Sequence, residues 1–107
     1  MIKAEILAPA GSFEALTAAV RSGADAVYLC DTNGGCFPHE IQEMVEAALV
    51  CRSPIGIHTH NDTGMADANT ISAIRAGAMG FQATIGGSGE RCGNANLFTM
   101  IADLTLK

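Results

Sequence analysis

Apolar residues gather in four short runs: "AEILAPA" (4–10), "DAVYLCD" (25–31), "PIGIHTH" (54–60) and "GFQATIG" (80–86). Apolar runs of this length, bounded by Gly, Pro, Asn or Asp, read as buried strands. Each leads into a stretch with helical spacing: "FEALTAAVRS", "HEIQEMVEAALVCR", "GMADANTISAIRA" and "ANLFTMIADL". Start signals accompany these stretches. Ser12 is a side-chain cap for the first and Pro38 suits the first turn of the second; Asp62 and Thr63 precede the third, and Gly93 and Asn94 the fourth.

The resulting order, βαβαβαβα, predicts an α/β fold of parallel strands joined by right-handed helical crossovers. In such folds the loops after the strands are free for chemistry, so functional residues are expected at the strand C-terminal ends. An internal echo supports the repeat. "AAVRSGADAVYL" (18–29) and "SAIRAGAMGFQA" (72–83) place Gly23 and Gly77 at corresponding helix ends, where a left-handed residue stops the helix. No linker divides the 107 residues, which are read as a single domain, 1–107.

With 49% hydrophobic and 16% charged residues, the composition is that of a folded chain, and no apolar run approaches a membrane span. A net charge of −5 argues against nucleic-acid or anionic-membrane partners. Cys30, Cys36, Cys51 and Cys92 form no C-x-x-C pair, and "MIKAEILAPAG" lacks the apolar centre of a secretory signal. A cytoplasmic protein with reduced thiols is expected, with none of the four cysteines a nucleophile.

Three stretches carry groups capable of chemistry. His58 and His60, at i and i+2 near the end of the third strand, lie on one side of the sheet, which is either a metal-ligand arrangement or a simple hydrogen-bonded pair. "GGSGERCGNAN" (86–96) is glycine-rich but does not have the spacing of a phosphate loop, and a glycine-rich turn without ligand is its plainer reading. "CDTNGG" (30–35) places Asp31 and Thr32 at the end of the second strand, where an Asx or hydroxyl turn explains them as well as catalysis does. The predicted topology brings all three to one edge of the sheet.

Taken in order, "LCDTNGG", "GIHTHNDTGMADANT" and "GGSGERCGNANL" make residues 28–107 resemble the pyruvate-carboxyltransferase domain of citramalate and isopropylmalate synthases, metal-dependent TIM-barrel enzymes. The resemblance implies a half TIM barrel built from four βα units. It also implies that His58, His60 and Asn94 ligate a divalent metal and that Thr32 holds the carboxylate of a small 2-oxo acid. Acetyl-CoA would be the co-substrate. "AEILAPAGSFEALTAAVRSGADAVYL", within residues 1–29, is instead similar to the start of collagenase-like peptidases. A chimera joined near Tyr28 to Asp31 is therefore expected, with residues 30–107 the acyltransferase-like part.

The resemblance also implies an Asp ligand and an Arg on the first strand and a catalytic Glu on the second, and none is found in these positions. Glu5, the carboxylate of the first run, is at the wrong end of its strand. Two imidazoles and an amide leave the cation's charge unbalanced unless Asp62 or Asp31 turns inward. Nitrogen donors favour a transition metal over magnesium, with zinc, nickel and cobalt first and manganese or magnesium also among the candidates. No general base is assigned: His39 reads as a solvated first-turn residue, while Glu90 and Arg91 are expected to pair with each other or with loop amides.

The expected function is that of a fragment or chimera of an acyl-CoA:2-oxo acid acyltransferase that retains metal binding with little turnover. A non-catalytic half-barrel scaffold is the alternative. Four strands alone leave the inner barrel face bare, and closure by a homodimer through that face is expected.

Overall fold

The computed structural model describes residues 7–107. It contains β1 (Leu7–Ala10), α1 (Phe13–Arg21), β2 (Ala26–Asp31), α2 (Pro38–Leu49), β3 (Ile55–Thr59), α3 (Ala66–Ala76), β4 (Gly80–Gln82), a 3₁₀ turn (Ile85–Gly87) and α4 (Leu97–Leu106). The four strands are parallel and lie in the order β1-β2-β3-β4. Sequential order with right-handed crossovers sends successive helices to the same face, so the sheet is half of a TIM barrel. The first expected strand begins at residue 4, and its first three residues, including Glu5, lie outside the described range.

One face of the sheet carries the core. Val27 and Leu29 of β2 and Ile55 and Ile57 of β3 pack with Leu16 of α1, Ile41 and Val45 of α2 and Ala73 of α3. Alternation then sends the intervening residues to the other, inner face. Register aligns them in rows, with Pro9, Tyr28, Gly56 and Gly80 in one and Cys30, His58 and Gln82 in the next, nearer the strand C-terminal ends.

Tyr28 lies across the glycine row: a methyl group at Gly56 would run into its ring, and one at Gly80 would come within 2.6 Å of its hydroxyl. The two glycines thus make room for the one tyrosine of the chain.

Helix starts follow the sequence signals in part. The Ser12 Oγ accepts from Ala15 N at 3.1 Å, and Pro38 opens α2, where Glu40 Oε2 accepts from Phe37 N at 2.7 Å. At α3 the expected caps are displaced. Asn61 Oδ1 accepts from Ala66 N, whereas Thr63 Oγ1 donates to Gly34 O and Asp62 is held by Arg91. At α4 the cap is Asn96, whose Oδ1 accepts from Phe98 N, so this helix starts later than Asn94 suggests.

β4 is also shorter than its apolar run. Beyond Gln82 the chain leaves the sheet: Thr84 N donates to Ala95 O, and Gly86 and Gly87 adopt φ values of 68° and 72°. Gly23 and Gly77 hold the left-handed positions expected of helix terminators, at φ 81° and 119°.

Candidate metal centre

β3 ends in Thr59, and His60 continues its line into an isolated antiparallel bridge with Asn94. That bridge joins the loop after β3 to the loop after β4. Asn61 N donates to Gly93 O across the two loops, fixing them to each other by backbone, while Asn94 N donates to Gly87 O within the β4 loop. Gly89 lies under the Asn94 amide, where a side chain would meet Nδ2 at 2.6 Å.

His58 points inward from β3, between Cys30 and Gln82, and its Nε2 lies 3.2 Å from that of His60. The rings meet edge to face, with centroids 5.0 Å apart. Two imidazole nitrogens bound to one cation at about 2.0–2.1 Å and separated by 3.2 Å would subtend about 100°, an angle suited to tetrahedral or octahedral coordination. Asn94 Oδ1, next to His60 across the bridge, is buried with no hydrogen-bond partner. A buried acceptor without a donor is what a cation would satisfy.

These donors fit one side of a coordination sphere. No group of three or more His, Cys, Asp and Glu able to hold a metal occurs among the described residues. The two carboxylates that could offset the charge of a cation, Asp31 and Asp62, are otherwise engaged. Asp31 is buried and its Oδ2 accepts from Cys36 N at 3.4 Å, which is the turn-forming role. Asp62 is gripped by Arg91, with Nε to Oδ2 at 2.7 Å and Nη2 to Oδ1 at 3.0 Å. Hence Arg91 pairs not with Glu90 but with a residue 29 positions away. The same Nη2 reaches Thr32 O at 2.7 Å and His60 Nδ1 at 3.3 Å.

Burial and the adjacent His60 push His58 below the ordinary imidazole value, against the Gln82 amide and the Glu90 carboxylate, which raise it. The hydrogen bonds from Arg91 hold the Asp62 carboxyl below the usual carboxylate range. Thr32 lies at the exposed end of β2, with its hydroxyl facing Gly11 at the end of β1. His39 stacks on Phe37 at the exposed start of α2.

The four cysteines are unpaired. Burial raises the Cys30 thiol, while burial together with the Asp31 carboxylate pushes that of Cys36 up to about 11. Both are poor thiolates.

Residues 4–107 match the family model described as HMGL-like. The chain belongs to the HMGL-like family. An (R)-citramalate synthase of Geobacter sulfurreducens is 47% identical over 100 residues, a match that covers 92% of this chain and 19% of the relative. A 2-isopropylmalate synthase of Salinibacter ruber is 38% identical over 99 residues, covering 88% of the chain and 18% of the relative. This HMGL-like chain therefore spans about a fifth of the length of the curated relatives it matches.

Among solved structures, an HMG-CoA lyase from Acinetobacter baumannii in complex with coenzyme A and 3-methylmalate superposes with a TM-score of 0.79. It shares 26% identity, over 88% of this chain and 33% of that one. The carboxyl transferase domain of Rhizobium etli pyruvate carboxylase with oxalate gives a TM-score of 0.75 at 22% identity, over 86% and 16%, a likeness of fold.

The family match runs through Tyr28 to Asp31, where a join was expected, and reaches back to residue 4. It lends the peptidase resemblance and the chimera no support. No helix among the described residues is long and apolar enough to cross a membrane.

Proposed function

We propose that this chain forms the metal-binding and oxo-acid-binding side of an acyl-CoA:2-oxo acid acyltransferase of the citramalate and isopropylmalate synthase kind, with little turnover of its own. The observation that carries the reading is the separation of 3.2 Å between the His58 and His60 Nε2 atoms, beside the partnerless Asn94 Oδ1. His58 and His60 would hold a divalent cation, with Asn94 as third donor. When bound, the cation supplies Lewis acidity to the oxygens of a small 2-oxo acid.

The chain's own part is to bind and orient. Thr32, at the end of β2, offers a hydroxyl to the oxo-acid carboxylate at the same sheet edge as the histidines. The Asn94 loop, tied by backbone to the β3 loop, keeps the amide beside His60. No base is assigned for removing a proton from the methyl group of acetyl-CoA, and turnover by the chain alone is expected at background.

Zinc and cobalt titrations of the chain, with His58→Ala and His60→Ala variants as controls, test the reading. Binding that both substitutions abolish supports it; equal behaviour of the three proteins removes it. Thiol release from acetyl-CoA with pyruvate measures how much chemistry the chain performs. The absence of a three-residue His, Cys, Asp and Glu group among the described residues favours a second reading, a non-catalytic half-barrel scaffold. The proposal includes a homodimer closed through the inner face, for which the one-sided helical covering is the support, and light scattering at micromolar concentration decides it.

A further inference from the structure

The chain turns sharply after β2. Gly34 N donates to Asp31 O at 3.2 Å, which makes residues 31–34 a β-turn with Thr32 and Asn33 at its centre. Type I and type II turns differ in the way the central peptide faces, and type II needs a positive φ at the third residue. Among the described residues, the non-glycine positions with positive φ are Arg52 and Arg91, so Asn33 has a negative φ and type II is excluded.

Arg91 grips that central peptide. Its fork closes on Asp62, with Nε to Oδ2 at 2.7 Å and Nη2 to Oδ1 at 3.0 Å, and the second hydrogen of Nη2 goes to Thr32 O at 2.7 Å. A planar guanidinium anchored at two points aims its remaining N–H in a fixed direction. The peptide is trans, so its N–H and C=O are opposed. With Thr32 O turned to Arg91 and Asp62, on the β3 side of β2, the Asn33 N–H faces the β1 side. The Thr32 hydroxyl is on that side too, 3.9 Å from where a methyl group on Gly11 would lie. No described residue accepts a hydrogen bond from Asn33 N.

We propose that the oxo-acid carboxylate is held by two donors, the Thr32 hydroxyl and the Asn33 N–H, and that Arg91, anchored on Asp62, is the positioning residue that keeps the second donor turned toward it. This inference rests on the oxo-acid reading above. A carboxylate takes one hydrogen bond on each oxygen, and bonds to an ionised acceptor are the strong ones. Turning the peptide over would put a carbonyl oxygen where the N–H stands, and would break the bond from Arg91.

Proton–proton contacts read the peptide directly. With ψ of the second turn residue at about +120° in type II and about −30° in type I, its Hα comes close to the next amide hydrogen only in type II. The Thr32 Hα to Asn33 H–N cross-peak should be weak in the wild-type chain and grow severalfold in Arg91→Met. A strong wild-type peak, or a weak one that the variant leaves unchanged, overturns the role of Arg91.

Oxalate, standing in for the 2-oxo acid, reads the site in the zinc-loaded chain. The Asn33 amide proton should shift downfield as oxalate binds. At saturating zinc, Arg91→Met should bind oxalate about tenfold more weakly, the loss expected of one hydrogen bond to a charged group. A residue that only braced the loops would lower the melting temperature without turning the peptide, so equal oxalate affinity in the variant overturns the positioning role. The wild-type measurements decide the second donor even where Arg91→Met does not fold: oxalate binding that leaves the Asn33 amide unmoved overturns this inference alone. Zinc binding without oxalate binding overturns the oxo-acid reading with it, and a wild type that binds neither overturns the metal reading as well.

Discussion

His58 and His60 face each other through Nε2 atoms 3.2 Å apart, in a pocket where burial and the His60 ring keep His58 below the ordinary imidazole value. A depressed histidine binds fewer protons in the folded chain than in the unfolded one between its two pKa values. Stability therefore is fully present above about pH 6.5, the unfolded value, and falls as pH drops through the folded value. Thermal melts of the metal-free chain should show a lower Tm at pH 5 than at pH 7.5, and His58→Gln should flatten that slope. A Tm independent of pH over this range would contradict the shift.

Asp62 titrates in a lower window. Its folded pKa lies below the unfolded value of about 3.8 because Arg91 donates to both of its oxygens, so its contribution is present above that value and is lost on further acidification. Asp62→Asn should remove the part of the stability profile that changes below pH 4 and leave the histidine part in place. Melts at pH 3 to 5 separate the two.

Tyr28 and Gly56 make a second, sterically testable pair. Gly56→Ala would drive a methyl group into the Tyr28 ring on the inner face, and overpacking of this kind costs about 1–3 kcal/mol. Urea denaturation should show that loss, and combining Gly56→Ala with Tyr28→Ala should recover part of it. Additive losses in the double variant would mean that the two residues do not share the space.

The sequence made the four βα units legible because parallel strands buried on one face are apolar runs and their helices begin with recognisable caps. It also placed His58 and His60 on one side, since strand alternation needs no tertiary information. The end of β4 was not legible: Gly86 and Gly87 are compatible with a strand, and only the pairing of Thr84 with Ala95 and Asn96 draws the chain away. Nor was the exchange of caps at α3, where Asp62 is taken by an arginine 29 residues on and Asn61 serves Ala66 in its place. Tyr28 over two glycines depends on strand register, which periodicity leaves open. The loop contacts of Arg91 are of the same long-range kind.

Behind the sheet, Thr59 shows how β3 is fastened to α3. Its hydroxyl is fully buried, donates to Ala66 O at 3.0 Å and lies 2.9 Å from Thr70 Oγ1. Thr59→Val keeps the shape and removes the hydroxyl, while Thr70 retains its own bond to Ala66 O at 2.8 Å. A loss of about 1–2 kcal/mol in chemical denaturation is expected, and no change would show that the remaining threonine satisfies the site alone.

Asn94 offers the sharpest test of charge at the proposed centre. Two imidazoles and an amide are neutral donors, so nothing in this set offsets the charge of a divalent cation. Asn94→Asp is nearly isosteric and supplies a full negative charge at the same place. Without metal it should destabilise the chain, because an oxygen replaces the Nδ2 group that donates to Ser88 O at 3.4 Å. With metal the sign reverses: a carboxylate in contact with a divalent cation gains attraction that an amide dipole lacks, and the affinity should rise about tenfold or more. Calorimetric titration of wild type and variant checks this directly. An unchanged affinity would place Asn94 outside the coordination sphere and leave the two histidines as the chain's whole contribution to it.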